Sequence, residues 1–135
     1  MTIGQFALQQ TVFNTLNNDS TLKTTLGCPV FDDVPLTQAY PFATIGEETS
    51  TEFGTKDLVG SQVTINLHVW SQYKGAREVK NIMDRIHTLL HDTSLSVSGF
   101  SLVNLRFEFA DTLRDPDGIT RHGVMRFRAV MLGTA

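Results

Sequence analysis

Four histidines, one cysteine and a run of aspartates are the residues of this 135-residue chain best placed to do chemistry. His87 and His91 stand four apart, a spacing that sets two imidazoles on one helix face and can hold a zinc ion. Thr88, Leu89 and Leu90 between them include no glutamate, the general base of the helical zinc-protease motif, and no cysteine or carboxylate cluster completes a ligand set. The expectation for both is a solvent-exposed, non-ligand role. His68, beside Trp70, and His122, after a turn, read as packing or interface residues. Asp115-Pro116-Asp117-Gly118 falls short of the alternating oxygen ligands, closed by a glutamate, that a calcium loop requires. Cys28, between Gly27 and Pro29 with no positioned base, is expected to be a small buried side chain. Neither a phosphate-binding glycine loop with lysine nor a Gly-x-Ser-x-Gly elbow occurs. The chain offers no enzyme, and no cofactor or metal is expected.

The basic residues bear on nucleic-acid binding. Five of the eleven lie toward the C-terminus: Arg106, Arg114, Arg121, Arg126 and Arg128. Interleaved Glu108, Asp111, Asp115 and Asp117, and a pI near 5.7, argue against such a surface. Arginine's planar, multi-donor head suits a protein–protein contact instead. The net charge of −3 is unevenly spread. Through Gly60 two bases face seven acids, a balance of −5, whereas the remainder holds nine bases and seven acids, or +2. That asymmetry suits a subunit whose acidic side meets the basic side of an identical neighbour, a contact that can close into a ring.

These residues need a scaffold, and hydropathy outlines one. With 41% hydrophobic residues, the chain has enough apolar surface for one core, so residues 1–135 are expected to form a single domain. No apolar run is long enough to span a bilayer, the N-terminus lacks a signal-peptide pattern, and the lone cysteine suits a reducing compartment such as the cytoplasm. Phe6, Leu8, Val12, Phe13 and Leu16 fit a first helix, after which Ser20 could cap a short second one ending at Gly27. Val30-Phe31 reads as a brief strand and Phe42–Glu48 as a second, with Phe42, Thr44 and Gly46 on one face and Ala43, Ile45 and Glu47 on the other. Glu48 to Asp57 is polar and reads as the mobile end of a hairpin. Val63, Ile65, Leu67 and Val69 alternate with polar residues and Trp70, the period of a half-buried strand. Past Gly75, Val79, Ile82, Met83, Ile86, Leu89 and Leu90 draw one stripe down a helix. Leu95-Ser96-Val97 could add an edge strand.

The C-terminal hairpin has a readable register. Val103, Leu105, Phe107 and Phe109 share a face with Met125, Phe127, Ala129 and Met131 only if paired numbers have an even sum. A three-residue loop, Pro116-Asp117-Gly118, with Asp115 opposite Ile119, meets that condition. It sets Phe107 opposite Phe127, Arg106 opposite Arg128 and Glu108 opposite Arg126. The fold expected is α+β: a mostly antiparallel sheet covered by a long central helix and an N-terminal helix.

Three segments, in this order, carry a resemblance. They are Val30-Phe31-Asp32-Asp33-Val34-Pro35 with Pro41-Phe42-Ala43-Thr44-Ile45-Gly46; the strand to Val69-Trp70-Ser71 with Gly75 and the helix to Leu90; and Asp115-Pro116-Asp117-Gly118-Ile119-Thr120-Arg121-His122 before a last strand. Together they resemble the tail completion, or tail terminator, proteins of long-tailed bacteriophages and phage-like gene-transfer particles, over nearly the whole chain. The resemblance implies a structural virion protein, made in the bacterial host cytoplasm, that forms a ring, typically a hexamer, on the head-proximal end of the tail tube. Such a ring stops tube polymerisation and docks to head-completion or connector proteins, while DNA passes through its lumen without sequence-specific binding.

On this view Glu47, Glu48 and Glu52 are expected near a subunit or lumen surface, with Arg106, Arg126 and Arg128 as basic partners at a lateral contact. Thr49, Thr51, Phe53, Lys56 and Asp57 form a candidate loop that docks a partner. The alternatives are a neighbouring head–tail connector or minor tail protein and, more distantly, a small metal- or ligand-binding α+β protein.

Overall fold

The computed structural model describes residues 3–54 and 59–133. Helix α1 spans Gln5–Asn17 and buries Leu8, Val12 and Leu16, a stripe with a spacing of four. Phe6 points away, 73% exposed, and is not part of the core. The next turn, Thr21–Thr25, is a wide π-type turn in which the Leu26 N–H reaches the Thr21 carbonyl at 2.9 Å. Its cap is Asp19 rather than Ser20: Asp19 Oδ2 accepts the Leu22 N–H at 2.8 Å, and Ser20 already has helical dihedrals. The same carboxylate grips Arg85 with both oxygens, at 2.7 and 2.9 Å.

Five strands follow: β1 (Val30–Phe31), β2 (Phe42–Glu52), β3 (Gly60–Ser71), β4 (Phe100–Arg114) and β5 (Arg121–Gly133), with α2 (Arg77–Leu90) between β3 and β4. They form one sheet in the order β1-β2-β3-β5-β4, in which only β1–β2 is parallel. The fold is therefore α+β with a mostly antiparallel sheet, as expected. At 14 residues α2 is barely longer than the 13 of α1, so two comparable helices share the covering. No described helix is long and apolar enough to cross a membrane.

The core lies between these helices and one sheet face. Val79, Ile82, Met83, Ile86 and Leu90 of α2 meet Val63, Ile65, Leu67 and Val69 of β3 and Met125, Phe127 and Met131 of β5. Each such side chain contributes about 1.5–3 kcal/mol of transfer free energy. Cys28 is buried with them, its thiol pushed up to about 12 by desolvation and by Glu78.

Three strand expectations are corrected. First, β2 runs on to Glu52, so Thr49 and Thr51 lie in a paired strand instead of a hairpin end, because the threonines tolerate extended geometry against β3. Second, Leu95–Val97 reduces to one bridge, Val97 to Phe100. Third, the β4–β5 loop has four residues, Pro116–Ile119. Arg114 pairs with Arg121, and the Asp115 N–H meets the Thr120 carbonyl at 2.9 Å. Asp117 makes this loop: its carboxylate accepts the N–H groups of Ile119 and Thr120, both at 2.8 Å, and the Thr120 hydroxyl at 2.7 Å. The Thr120 bonds hold the Asp117 carboxyl below its ordinary range, and Gly118 takes the left-handed position at φ 72°.

The four-residue loop gives an odd pairing sum, and a bulge at Glu108 repairs it. Below the bulge Phe107 opposes Phe127 and Arg106 opposes Arg128, as expected; above it Phe109, not Glu108, faces Arg126.

Candidate assembly interface

Because the helices lie against one side, the other face of the sheet has no covering layer among the described residues. Cross-strand rows organise it. The row at the β2 N-terminal end is aromatic: Phe42 pairs with Trp70, and Trp70 with His122. Tyr40 lies 5.1 Å from Phe42, Phe42 is stacked 6.5 Å from Trp70, and Trp70 is stacked 3.7 Å from His122.

The next rows are polar. His68 Nδ1 is 2.8 Å from His122 Nε2, and His68 Nε2 is 3.2 Å from Glu47 Oε2. With Glu47 ionised and both rings neutral, one arrangement serves both contacts. His122 Nε2–H donates to His68 Nδ1, and His68 Nε2–H donates to Glu47. The Glu47 carboxyl is pulled down to about 2, first by its own backbone N–H, then by His68 and Asn66. Burial, together with His68, makes His122 harder to protonate than an ordinary imidazole. Beside this pair runs a continuous chain: Asn66 Nδ2 donates to Glu47 at 3.2 Å, Arg126 Nε donates to Asn66 Oδ1 at 3.2 Å, and the Arg126 guanidinium lies 5.5 Å over the Phe109 ring.

A bulge in β2 makes this row possible. Gly46 and Glu47 together oppose Asn66, so Glu47 joins Phe42 and Thr44 on the open face while Glu48 turns in with Ala43 and Ile45, the reverse of simple alternation. Gly46 has no side chain because His68 fills the space: a Cβ there would sit 2.6 Å from two ring atoms.

The expected site residues therefore separate. Glu47 is 72% exposed on the open face, Glu48 is half-buried on the helix side, and Glu52 is exposed at the end of β2. Burial and nearby Asp32 push the Glu48 carboxyl up to about 7, and its Oε2 has no hydrogen-bond partner among the described residues. Arg126, Arg128 and Arg106 share the open face with Glu47; Arg128 lies 3.7 Å from Glu108 and Arg106 3.8 Å from Asp92. Thr49 and Thr51 are exposed on the same face, and Phe53, just past the strand, is 49% exposed. Lys56 and Asp57 lie outside the described residues.

The His68–His122 pair and the bridging Asn66 are not legible in the sequence; His68 and Trp70, two apart on one strand face, are the signal it does carry. His87 and His91 stack at 4.7 Å and are half-buried, not solvent-exposed. His91 Nδ1 accepts the Phe107 N–H at 3.0 Å, which occupies the lone pair a metal would need. Among the described residues no group of three or more His, Cys, Asp or Glu side chains could hold a metal ion.

Comparison with known proteins sets this architecture among virion tail components. Residues 10–132 match the family of the tail completion protein gp17, and the chain belongs to that family. It is 35% identical over 89 residues to tail completion protein gp17 of Bacillus phage SPP1, a match spanning 66% of each chain and so just under two thirds of the relative. A chain in the virion of a native gene transfer agent particle superposes with a TM-score of 0.89 at 26% identity, covering 96% of this chain and 98% of that one.

Proposed function

We propose that this protein forms a ring, a hexamer, that caps the head-proximal end of the tail tube, stops tube polymerisation and offers the head its docking surface. The observation that carries the reading is the open sheet face of a tail completion family member, where Glu47 and Arg126 are held outward in one hydrogen-bonded row. A side chain already fixed by Asn66 loses little freedom when a neighbour arrives, which favours contact between subunits. The partners would be further copies of the chain, the tail tube protein and a head-completion or connector protein. DNA would pass through the lumen without sequence-specific contact, and the exposed Glu52 at the end of β2 suits an acidic wall that does not grip it. The open-face side chains of Thr49 and Thr51, with Phe53 past the strand and Lys56 and Asp57 further along the chain, are proposed to meet the tube. Unchanged hydrogen exchange at Phe53 and Gly54 on adding tail tube protein to the assembled ring would reject that role.

Electron microscopy of particles lacking this protein tests the main reading. Overlong or headless tails are expected; normal tails joined to heads would refute it.

A further inference from the structure

The sheet has two exposed edges, and each is blocked over the half that the other leaves open. On one side β1 covers β2 only at Ala43 and Thr44; from Glu47 to Glu52 no described strand pairs with the side of β2 turned away from β3. On the other, the segment after α2 covers the first half of β4. The Asp92 N–H donates to the Leu105 carbonyl at 2.8 Å, the Phe107 N–H to His91 at 3.0 Å, and Val97 bridges Phe100. From Phe109 to Arg114 the outer edge of β4 pairs with no described strand, and Phe109, Ala110, Asp111, Leu113 and Arg114 are exposed. Thr112 marks this edge: its N–H, turned from β5, donates to the adjacent Asp111 Oδ1 at 2.9 Å and to no other group among the described residues. A long open edge is a template for another strand.

We infer that these two half-edges pair with each other between copies, the Phe109–Arg114 edge of β4 adding to the Glu47–Glu52 edge of β2 in the next subunit. The inference rests on the ring reading above and specifies its lateral contact. Strand direction supports it. From β2 through β3 and β5 to β4 the sheet alternates without a break, so a second copy in the same orientation presents β2 antiparallel to β4. No flip is needed, and the contact is head-to-tail, the type that closes a ring.

Side-chain faces also agree. Centred on Ser50 opposite Thr112, the pairing puts Thr49 beside Leu113 on the open face and both central residues on the helix side. The stagger follows from the blocked halves. Ser50 is level with Val63 and Thr112 with Val69, so successive copies shift by about six residues, roughly 20 Å, over four strands spanning roughly 19 Å. That is a strand tilt of about 45°, at the upper end of the range closed sheets adopt. Blocking opposite halves thus dictates the shear of the ring.

The test is cross-linking in assembled particles. Thr49→Cys combined with Leu113→Cys, treated with a short bis-maleimide, should give a ladder of covalent multimers on a denaturing gel. Each single variant should give none beyond the background of the native chain, whose Cys28 is buried. Complete tails that yield only monomer would overturn edge pairing. Thr112→Pro provides an independent check, since it removes the outward N–H with its bond to Asp111 and the long 3.9 Å hydroxyl contact with Met83 Sδ, and leaves the ladder to β5 intact. It should remain a folded monomer by circular dichroism yet fail to enter particles; normal incorporation would overturn the inference. Particles of the native chain that show no multimer with a general amine cross-linker would defeat the ring reading itself, whichever edge or face was involved.

Discussion

His68 and His122 share one hydrogen bond, 2.8 Å from Nδ1 to Nε2, across two neighbouring strands. One nitrogen must donate and the other accept, so the pair tolerates at most one added proton; two would set N–H against N–H. Burial and His68 together hold the His122 proton affinity below its ordinary value of 6.5. The unfolded chain then binds more protons than the folded one below about pH 6.5. The contribution of His122 to stability is complete above that value and falls as acid carries the pH down toward the folded pKa. His122→Phe keeps a ring on Trp70 and should flatten this slope, as measured by urea midpoints between about pH 7.5 and about pH 5.

Asp19 works at two places at once, capping the turn at Leu22 and holding Arg85 of α2. The Arg85 bond holds its carboxyl below the ordinary 3.8. Its contribution is present above that value and lost as pH falls through the folded one. Asp19→Ala should cost about 1–2 kcal/mol at neutral pH, the range for a lost cap. Asp19→Ser, which restores a cap but not the ion pair, should recover part of that loss. Equilibrium denaturation of the three proteins checks both statements.

Glu48 behaves in the opposite sense. Its carboxyl is raised from 4.5 to about 7, so the stability of its protonated form is complete below 4.5 and lost as pH rises through about 7. Glu48→Gln should gain about 1–2 kcal/mol above neutral pH, with solvent screening allowed for, and nothing at pH values below 4.5. Thermal melts of both proteins at the two extremes suffice. Equal melting temperatures above pH 7 would show that Glu48 is satisfied in some other way.

Arg126 is held outward by Asn66 and Phe109, in line with Glu47. Arg126→Glu should weaken assembly, and raised salt should weaken the native assembly in the same direction. Sedimentation velocity reads this directly, and an unchanged oligomer would remove Arg126 from the contact.

Local periodicity made much of the fold legible. The Val63–Val69 alternation and the Val79–Leu90 stripe both name buried residues, and the Phe107–Phe127 pairing follows from parity alone. What stayed hidden depends on a single inserted residue or on distance along the chain. The bulge at Gly46-Glu47 exchanges the faces of Glu47 and Glu48, and no pattern of apolar residues follows it to reveal the shift. The His68–His122 bond joins residues 54 positions apart and exists only because β3 pairs with β5 in this register. Asp19 outcompetes Ser20 as a cap because Arg85, far along the chain, fixes its rotamer.

The bulge at Glu108 has a consequence for how this hairpin can change in length. The four-residue turn throws the two strands out of phase by one residue, and the bulge seven residues before Asp115 brings them back. Frame error and correction are thus stored in the same arm. Losing one residue from the turn would send Phe107 and Leu105 to the wrong side unless Glu108 were lost too. Related chains should therefore gain or lose residues here in matched pairs, one at the tip and one in the shaft.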